Sequence, residues 1–273
     1  MRVQLLTPGP NRDDTRAVFE WLPPDVELIT DLGPAEWFSS TLEPWGRHRL
    51  ASFMPDGFES YARIFHPFEL WDGGTTTYRS WSDVAAERGV SIDAETFAEE
   101  VTGEEWEAIG GNHPTEGKLP EAVCASLVRT LAGATKTPAA CWFAVWSGWG
   151  MLSGARFVLS TAAPSGEERR EQQRTQRATE AALRAIPQIT AVHGSSGRHY
   201  LLFRGPIDAA CSFEPEGWYL SPSFWWPDDR AWAVVTEIDG KSTYVGGARA
   251  TVDAILEADD LEALEVTRNV RLD

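Results

Sequence analysis

Four of the chain's thirteen tryptophans fall in one stretch, Cys211 to Gly247, which reads CSFEPEGWYLSPSFWWPDDRAWAVVTEIDGKSTYVGG. Trp218, Trp225, Trp226 and Trp232 lead into an unbroken apolar run, then two carboxylates, then a glycine pair. Each large ring brings about 150–250 Å² that water disfavours, so the rest of the fold has to be built to cover this segment. Read as a strand, its apolar run puts Trp232, Val234, Thr236 and Ile238 on one face and Ala231, Ala233, Val235, Glu237 and Asp239 on the other. The two alanines let a neighbouring element approach closely. Glu237 and Asp239 then lie about 7 Å apart at the strand's C-terminal end. That spacing suits a shared cation, a polar ligand or an acid–base pair, or simply two turn residues solvating the strand end before Gly240.

Trp225 and Trp226 are adjacent, and neighbouring strand side chains diverge. One ring is expected in the core and the other at least partly exposed, where a sugar, a planar ligand or a protein hot spot would use it. Asp228 and Asp229 beside Arg230 read as a local ion pair or a substrate clamp. Gly246-Gly247 reads as a helix-start turn. It lacks a P-loop lysine and sits among acidic residues, which argues against an anion cradle. The candidate binding set is therefore Trp225, Trp226, Asp228, Arg230, Glu237, Asp239, Tyr244 and His66.

Elsewhere, strands are expected at Val3–Leu6, Val26–Thr30, from Ser60 along YARIFHP to His66 at the strand end, in the first half of CWFAVWSGWG, and at His199–Arg204. In SYARIF, Ala62, Ile64 and the following His66 point one way, and Tyr61, Arg63 and Phe65 the other. Asp72-Gly73-Gly74 and a threonine run read as a loop. Helices are expected over Asp14–Trp21, over Trp81–Arg88 closed by Gly89, and from an Asp93 N-cap to about Val101. Further helices run from Pro120 through the Val123, Leu127 and Leu131 stripe, from the Ser165–Glu168 capping box to Pro187, and around Val252, Ile255 and Leu256. Pro34–Trp45 and GGNHPTEGKLP show no regular period.

No regular βα alternation and no glycine fingerprint follows a first strand, so the fold class is α+β, with a mixed, largely antiparallel sheet packed by helices. One domain spans 1–273, with a subdivision near 160–187 as an alternative. CWFAVWSGWG and AWAVVTEIDG match in pattern, which raises two similar halves.

Lys and Arg number 24 against 41 Asp and Glu, a net charge of −17. That surface repels phosphate backbones and argues against direct nucleic-acid binding. It suits a basic protein partner or serves solubility alone. Neither a signal peptide nor a membrane span is legible, and cytoplasmic residence is the expectation. Cys124, Cys141 and Cys211 are odd in number and far apart, which fits reduced thiols. The five histidines lack an HExxH or comparable spacing, and no GxSxG elbow surrounds Ser195 or Ser196. No catalytic residue, metal ligand or cofactor motif is assigned. His66, at a strand end, and His113, in a glycine-rich loop, are the histidines placed where sites tend to occur.

With EGKLPEAVCASL, CWFAVWSGWG and the late tryptophan block laid out, the chain resembles a group of uncharacterised bacterial proteins that share that block. Gly117-Lys118-Leu119-Pro120 before an amphipathic helix also resembles the helix start of SUKH-superfamily immunity proteins. That resemblance implies an α+β binding protein that neutralises a toxin, often a nuclease, and it carries no functional residues over. The resulting expectation is a non-enzymatic, immunity-like binding protein with an acidic aromatic surface around Trp225 to Tyr244. The alternative is a small-molecule receptor or hydrolase-type enzyme with a pocket lined by tryptophan, His66, Glu237 and Asp239.

Overall fold

The computed structural model describes residues 19–44, 48–107, 110–153, 165–193 and 196–272. Expectations at Val3–Leu6, at the start of the Asp14–Trp21 helix and at the Gly194-Ser195 turn lie outside them. In chain order the elements begin with β1 (Glu27–Ile29), α1 (Glu36–Ser40), β2 (Ser60–Phe65), β3 (Phe68–Asp72), β4 (Thr75–Arg79), α2 (Trp81–Arg88), α3 (Ala98–Thr102) and β5 (Gly111–Asn112). There follow α4 (Glu121–Ala132), β6 (Cys141–Trp146), α5 (Gly166–Ala185), β7 (Ile189–His193) and β8 (Ser196–Gly205). The chain closes with β9 (Phe224–Pro227), β10 (Trp232–Thr236), β11 (Ser242–Gly247), α6 (Arg249–Leu256) and β12 (Ala263–Val266).

The protein is α+β. Among the described residues nine strands form one sheet in the order β1-β8-β6-β9-β10-β11-β2-β12, with β7 also on β8. Its pairings are antiparallel. A second sheet, β4-β3-β5, stands apart. β6 and β10, whose sequences look alike, flank β9 in the same sheet. Strands from before and after α5 interleave, since β1 pairs β8 and β2 pairs β11.

Both faces of the large sheet are covered. On one, Ile64, Phe143, Phe203, Trp225, Trp232 and Val234 pack with Leu127 and Leu131 of α4, Leu183 of α5 and Ile255 of α6. On the other, Tyr61, Tyr200, Trp226, Val235 and Tyr244 pack under Phe38, Leu50, Phe53 and Met54. The two adjacent tryptophans therefore both disappear from solvent, at 0% and 1% exposure. Trp225 meets Trp232 edge-on at 5.2 Å, and Trp226 lies 5.0 Å from Phe38. The divergence of the rings is real, but expecting one at the surface is incorrect. Phe38, from the stretch without a regular period, together with Leu50, Phe53 and Met54 supplies the second layer.

Local chemistry sets the boundaries. Ser80 accepts from Asp83 N and Gly89 closes α2 at φ 67°, and Ser165 and Glu168 form the reciprocal box that opens α5. α3, however, starts at Ala98 and not after Asp93. Asp93 Oδ1 instead accepts from Glu95 N, and the buried Arg63 guanidinium takes the Ala94 and Thr96 carbonyls that a helix would use. The Asp72–Thr75 segment is a hairpin and not a loop: Gly73 and Gly74 adopt φ 56° and 129°, as a two-residue turn matching strand twist requires. Gly246 and Gly247 lie within β11 and not in a turn. A Cβ on Gly246 would stand 2.5 Å from the Phe58 ring, so the pair serves close packing.

Because both rings are core, Trp225→Ala and Trp226→Ala should each lower stability by about 3–5 kcal/mol. Urea denaturation reads this as a lowered midpoint at unchanged slope. A near-zero effect for Trp226→Ala would place that ring at the surface.

Candidate functional site

The polar residues singled out from sequence flank β10, with Asp228 and Arg230 before it and Glu237 and Asp239 after it, while Trp225 and Tyr244 lie beside its interior, opposite Val234 and Val235. Trp225, Trp226, Tyr244, Glu237 and His66 are buried, while Asp228, Arg230 and Asp239 are exposed. The continuous aromatic surface expected there does not form, because the sheet is covered on both sides.

At the C-terminal end, Arg198 at the start of β8 ion-pairs with Glu237 and, at 2.6 Å, with Asp239. Glu237 Oε2 also accepts from Asp239 N at 2.6 Å. The carboxylates do share a cation, but it is the chain's own guanidinium. Tyr200 sits beside this group, and burial pushes its hydroxyl far above the usual range, against the opposing charge of Arg198. His66 lies on the other face of the sheet. Its Nδ1 donates to the Thr115 carbonyl at 2.7 Å, and its Nε2 meets Thr243 Oγ1 at 2.9 Å, next to Thr236 Oγ1. A carbonyl only accepts, so Nδ1 carries the proton. His66 staples the 113–118 segment to the sheet and shares no pocket with Glu237.

At the N-terminal end, Asp228 accepts from Trp142 Nε1, and Asp229 accepts from Thr135 Oγ1 and Lys136 N. These carboxylates fix the neighbouring turn. Arg230, at φ 56°, lies 5.1 Å over the Trp37 ring beside a cleft of about 360 Å³ that Phe58 and Gly247 also line.

Of the tryptophan stretch only Trp218, ahead of β9, is an exposed ring among the described residues, and two further exposed rings lie together on the small sheet. In β3, Phe68 and Leu70 face a third apolar cluster with Trp81, Val101 and Trp106, so Glu69 and Trp71 face outward. Register sets Tyr78 opposite Glu69 and Thr76 opposite Trp71, and Asn112 of β5 flanks Glu69 on its other side. Trp71 is 57% exposed and Tyr78 63%. They are diagonal neighbours on one face, about 7–8 Å apart. A cleft of about 340 Å³ adjoins them, lined by Trp71, Glu107, Gly110, Gly111, Asn112 and His113. Its wall is rigid: Trp71 N donates to Gly110 O, and the buried Trp106 donates through Nε1 to Asn112 O. His113 Nδ1 is buried and has no hydrogen-bond partner among the described residues.

Charge is concentrated here as well. From Phe68 to Glu116 there are twelve Asp and Glu against two Arg, so this segment carries −10 of the chain's −17. Lys241 reaches in from β11's leading turn to pair with Glu99 and, at 3.4 Å, Glu116. Burial raises the Glu99 carboxyl, but the hydrogen bond and charge of Lys241 outweigh it and hold the group below its usual 4.5. Gly117 N donates to Gly240 O and Leu119 N to Ser221 Oγ, so the C-terminal end of the loop that carries His113 is tied to the connections flanking β9 and β10. The sequence signal for this face is Gly73-Gly74 between the aromatic-bearing run FELWD and the threonine-rich run TTTYR.

Comparison of the chain with protein-family models, curated proteins and solved structures found no match. Among the described residues no group of three or more His, Cys, Asp or Glu is placed to hold a metal ion, and no helix is long and apolar enough to cross a membrane.

A carboxyl held low stabilises the fold fully above its unfolded value, about pH 4.5, and loses that contribution as pH falls through the lower folded value. Glu99→Gln should therefore be less stable than the parent by a constant amount at about pH 6–8, with the difference shrinking below about pH 4.5. Thermal melts across that range check it. A difference that grows on acidification would contradict the assignment.

Proposed function

We propose that the protein is a non-enzymatic binding protein whose outward β3–β4–β5 face engages a cationic protein partner. One observation carries the reading: two exposed rings, Trp71 and Tyr78, lie side by side within the segment that holds most of the chain's negative charge. Aromatic anchors ringed by carboxylates match what Lys and Arg side chains seek, through cation–π contact with the rings and ion pairing at the rim. The distributed field also speeds encounter with a basic partner. A basic toxin has these properties, as the Gly117–Pro120 resemblance to SUKH-superfamily immunity proteins implies. In this reading the acidic aromatic surface belongs to Trp71 and Tyr78 and not to Trp225, Trp226 and Tyr244.

The unpartnered His113 Nδ1 supports a second reading, a small polar ligand stacked on Trp71 and hydrogen-bonded by His113 and Asn112. It replaces a pocket built on His66 and Glu237, which occupy opposite faces.

Retention of host proteins on the immobilised chain, at about 50 mM and 500 mM salt, tests the first reading. Expected is selective retention of basic species at low salt, lost at high salt and reduced tenfold or more by Trp71→Ala with Tyr78→Ala, while His113→Ala leaves it intact. Retention indifferent to the double variant would overturn it, and loss on His113→Ala alone would favour the small ligand.

A further inference from the structure

Cys124 and Cys211 are 87 positions apart in sequence, yet their sulfurs lie 2.9 Å apart and share a hydrogen bond. Cys124 sits in the first turn of α4 and is fully buried, whereas Cys211 ends the 3₁₀ turn Ile207–Cys211 and is half-buried. Both are free thiols. We propose that they form a peroxide-responsive dithiol site, in which Cys211 is the attacking sulfur and Cys124 the resolving one.

The geometry assigns the roles. A peroxide-sized molecule meets Cys211 first, since Cys124 has no exposed surface. The hydrogen bond with Cys124 holds the Cys211 thiol below its usual value, against burial and the nearby charges of Glu121 and Asp208. The same partner and burial hold Cys124 well above its usual value. Tyr219 faces the pair, and its hydroxyl is pushed up by burial and by the two sulfurs, so it stays protonated. The more acidic thiol at the accessible position with the less acidic one behind it is the polarity such a site needs.

The chemistry balances. The Cys211 thiolate attacks one oxygen of a hydroperoxide, the O–O bond breaks, and the leaving hydroxide takes a proton to become water. Cys211 is then a sulfenic acid. The Cys124 sulfur attacks it, the S–O bond breaks, and a second water leaves with the Cys124 proton. Two thiols are oxidised to one disulfide while the peroxide takes up two electrons. Contraction from 2.9 Å to the ~2.05 Å of a disulfide is a small movement. Cys141 is the internal reference: it is buried at the start of β6, and burial, with Asp229 and Asp228 nearby, pushes its thiol up to about 12.

Treating the full chain with one equivalent of hydrogen peroxide, then alkylating in denaturant and mapping by mass spectrometry, tests the proposal. Expected is a monomer with a Cys124–Cys211 crosslinked peptide, an alkylated Cys141, and full reversal by dithiothreitol. Cys124→Ser should instead leave a sulfenic acid on Cys211 that dimedone labels, with no crosslink. Disulfides through Cys141 or between molecules, Cys211 over-oxidised in the parent without a crosslink, or all three thiols surviving tenfold excess peroxide would each overturn it. The parent arm alone decides the question if the serine variant does not fold.

Discussion

Adjacent strand residues point to opposite faces of a sheet, and Trp225-Trp226 turns that rule into a structural demand. Two indoles cannot both leave water unless the sheet is covered on both sides. The helical layer of α4, α5 and α6 covers one face, and Phe38 with Leu50, Phe53 and Met54 covers the other. Most of the remaining architecture answers this requirement. β9 sits near the middle of the sheet, where cover is deepest. Glycine at 246 and 247 lets neighbouring side chains close over β11. The expectation of one exposed ring treated the sheet as one-sided, which is the usual antiparallel case but not this one.

Two-sided burial also decides where a partner can be met. With both faces of the large sheet occupied, contact surfaces are left at strand ends or on something appended. The C-terminal strand ends are closed internally, by Arg198 across Glu237 and Asp239 on one face and by His66 between Thr115 and Thr243 on the other. The appended β4-β3-β5 sheet has only one face to bury, against Trp81 and Trp106, and so presents the other. Its exposed rings follow from having a single apolar layer.

Much of the fold was legible in the sequence because it rests on local chemistry. The capping box at Ser165 and Glu168, the Gly89 stop, the α4 stripe and the alternation in β2 are each set by residues within one or two turns. What was not legible depends on distant contacts. Asp93 has the composition of an N-cap, yet Arg63, thirty residues earlier, draws the following carbonyls out of helical register. Glu237 and Asp239 looked like a free carboxylate pair until Arg198 was placed beside them by strand pairing across the sheet. Candidate-site residues were missed for a similar reason: Trp71 and Tyr78 are ordinary in sequence and become a pair only through the β3–β4 register.

The charge distribution links these observations. A net −17 spread evenly would serve solubility and little else. Instead −10 of it falls on a segment of fewer than fifty residues that also carries the exposed rings of Trp71 and Tyr78. Packing twelve carboxylates there costs stability through mutual repulsion, since two arginines and the visiting Lys241 cannot neutralise them all. Arg79 is engaged with Glu87, and Lys241 with Glu99 and Glu116. A fold tolerates such a concentration more easily when something outside it supplies the missing positive charge. The rings beside it mark where that contact would be made.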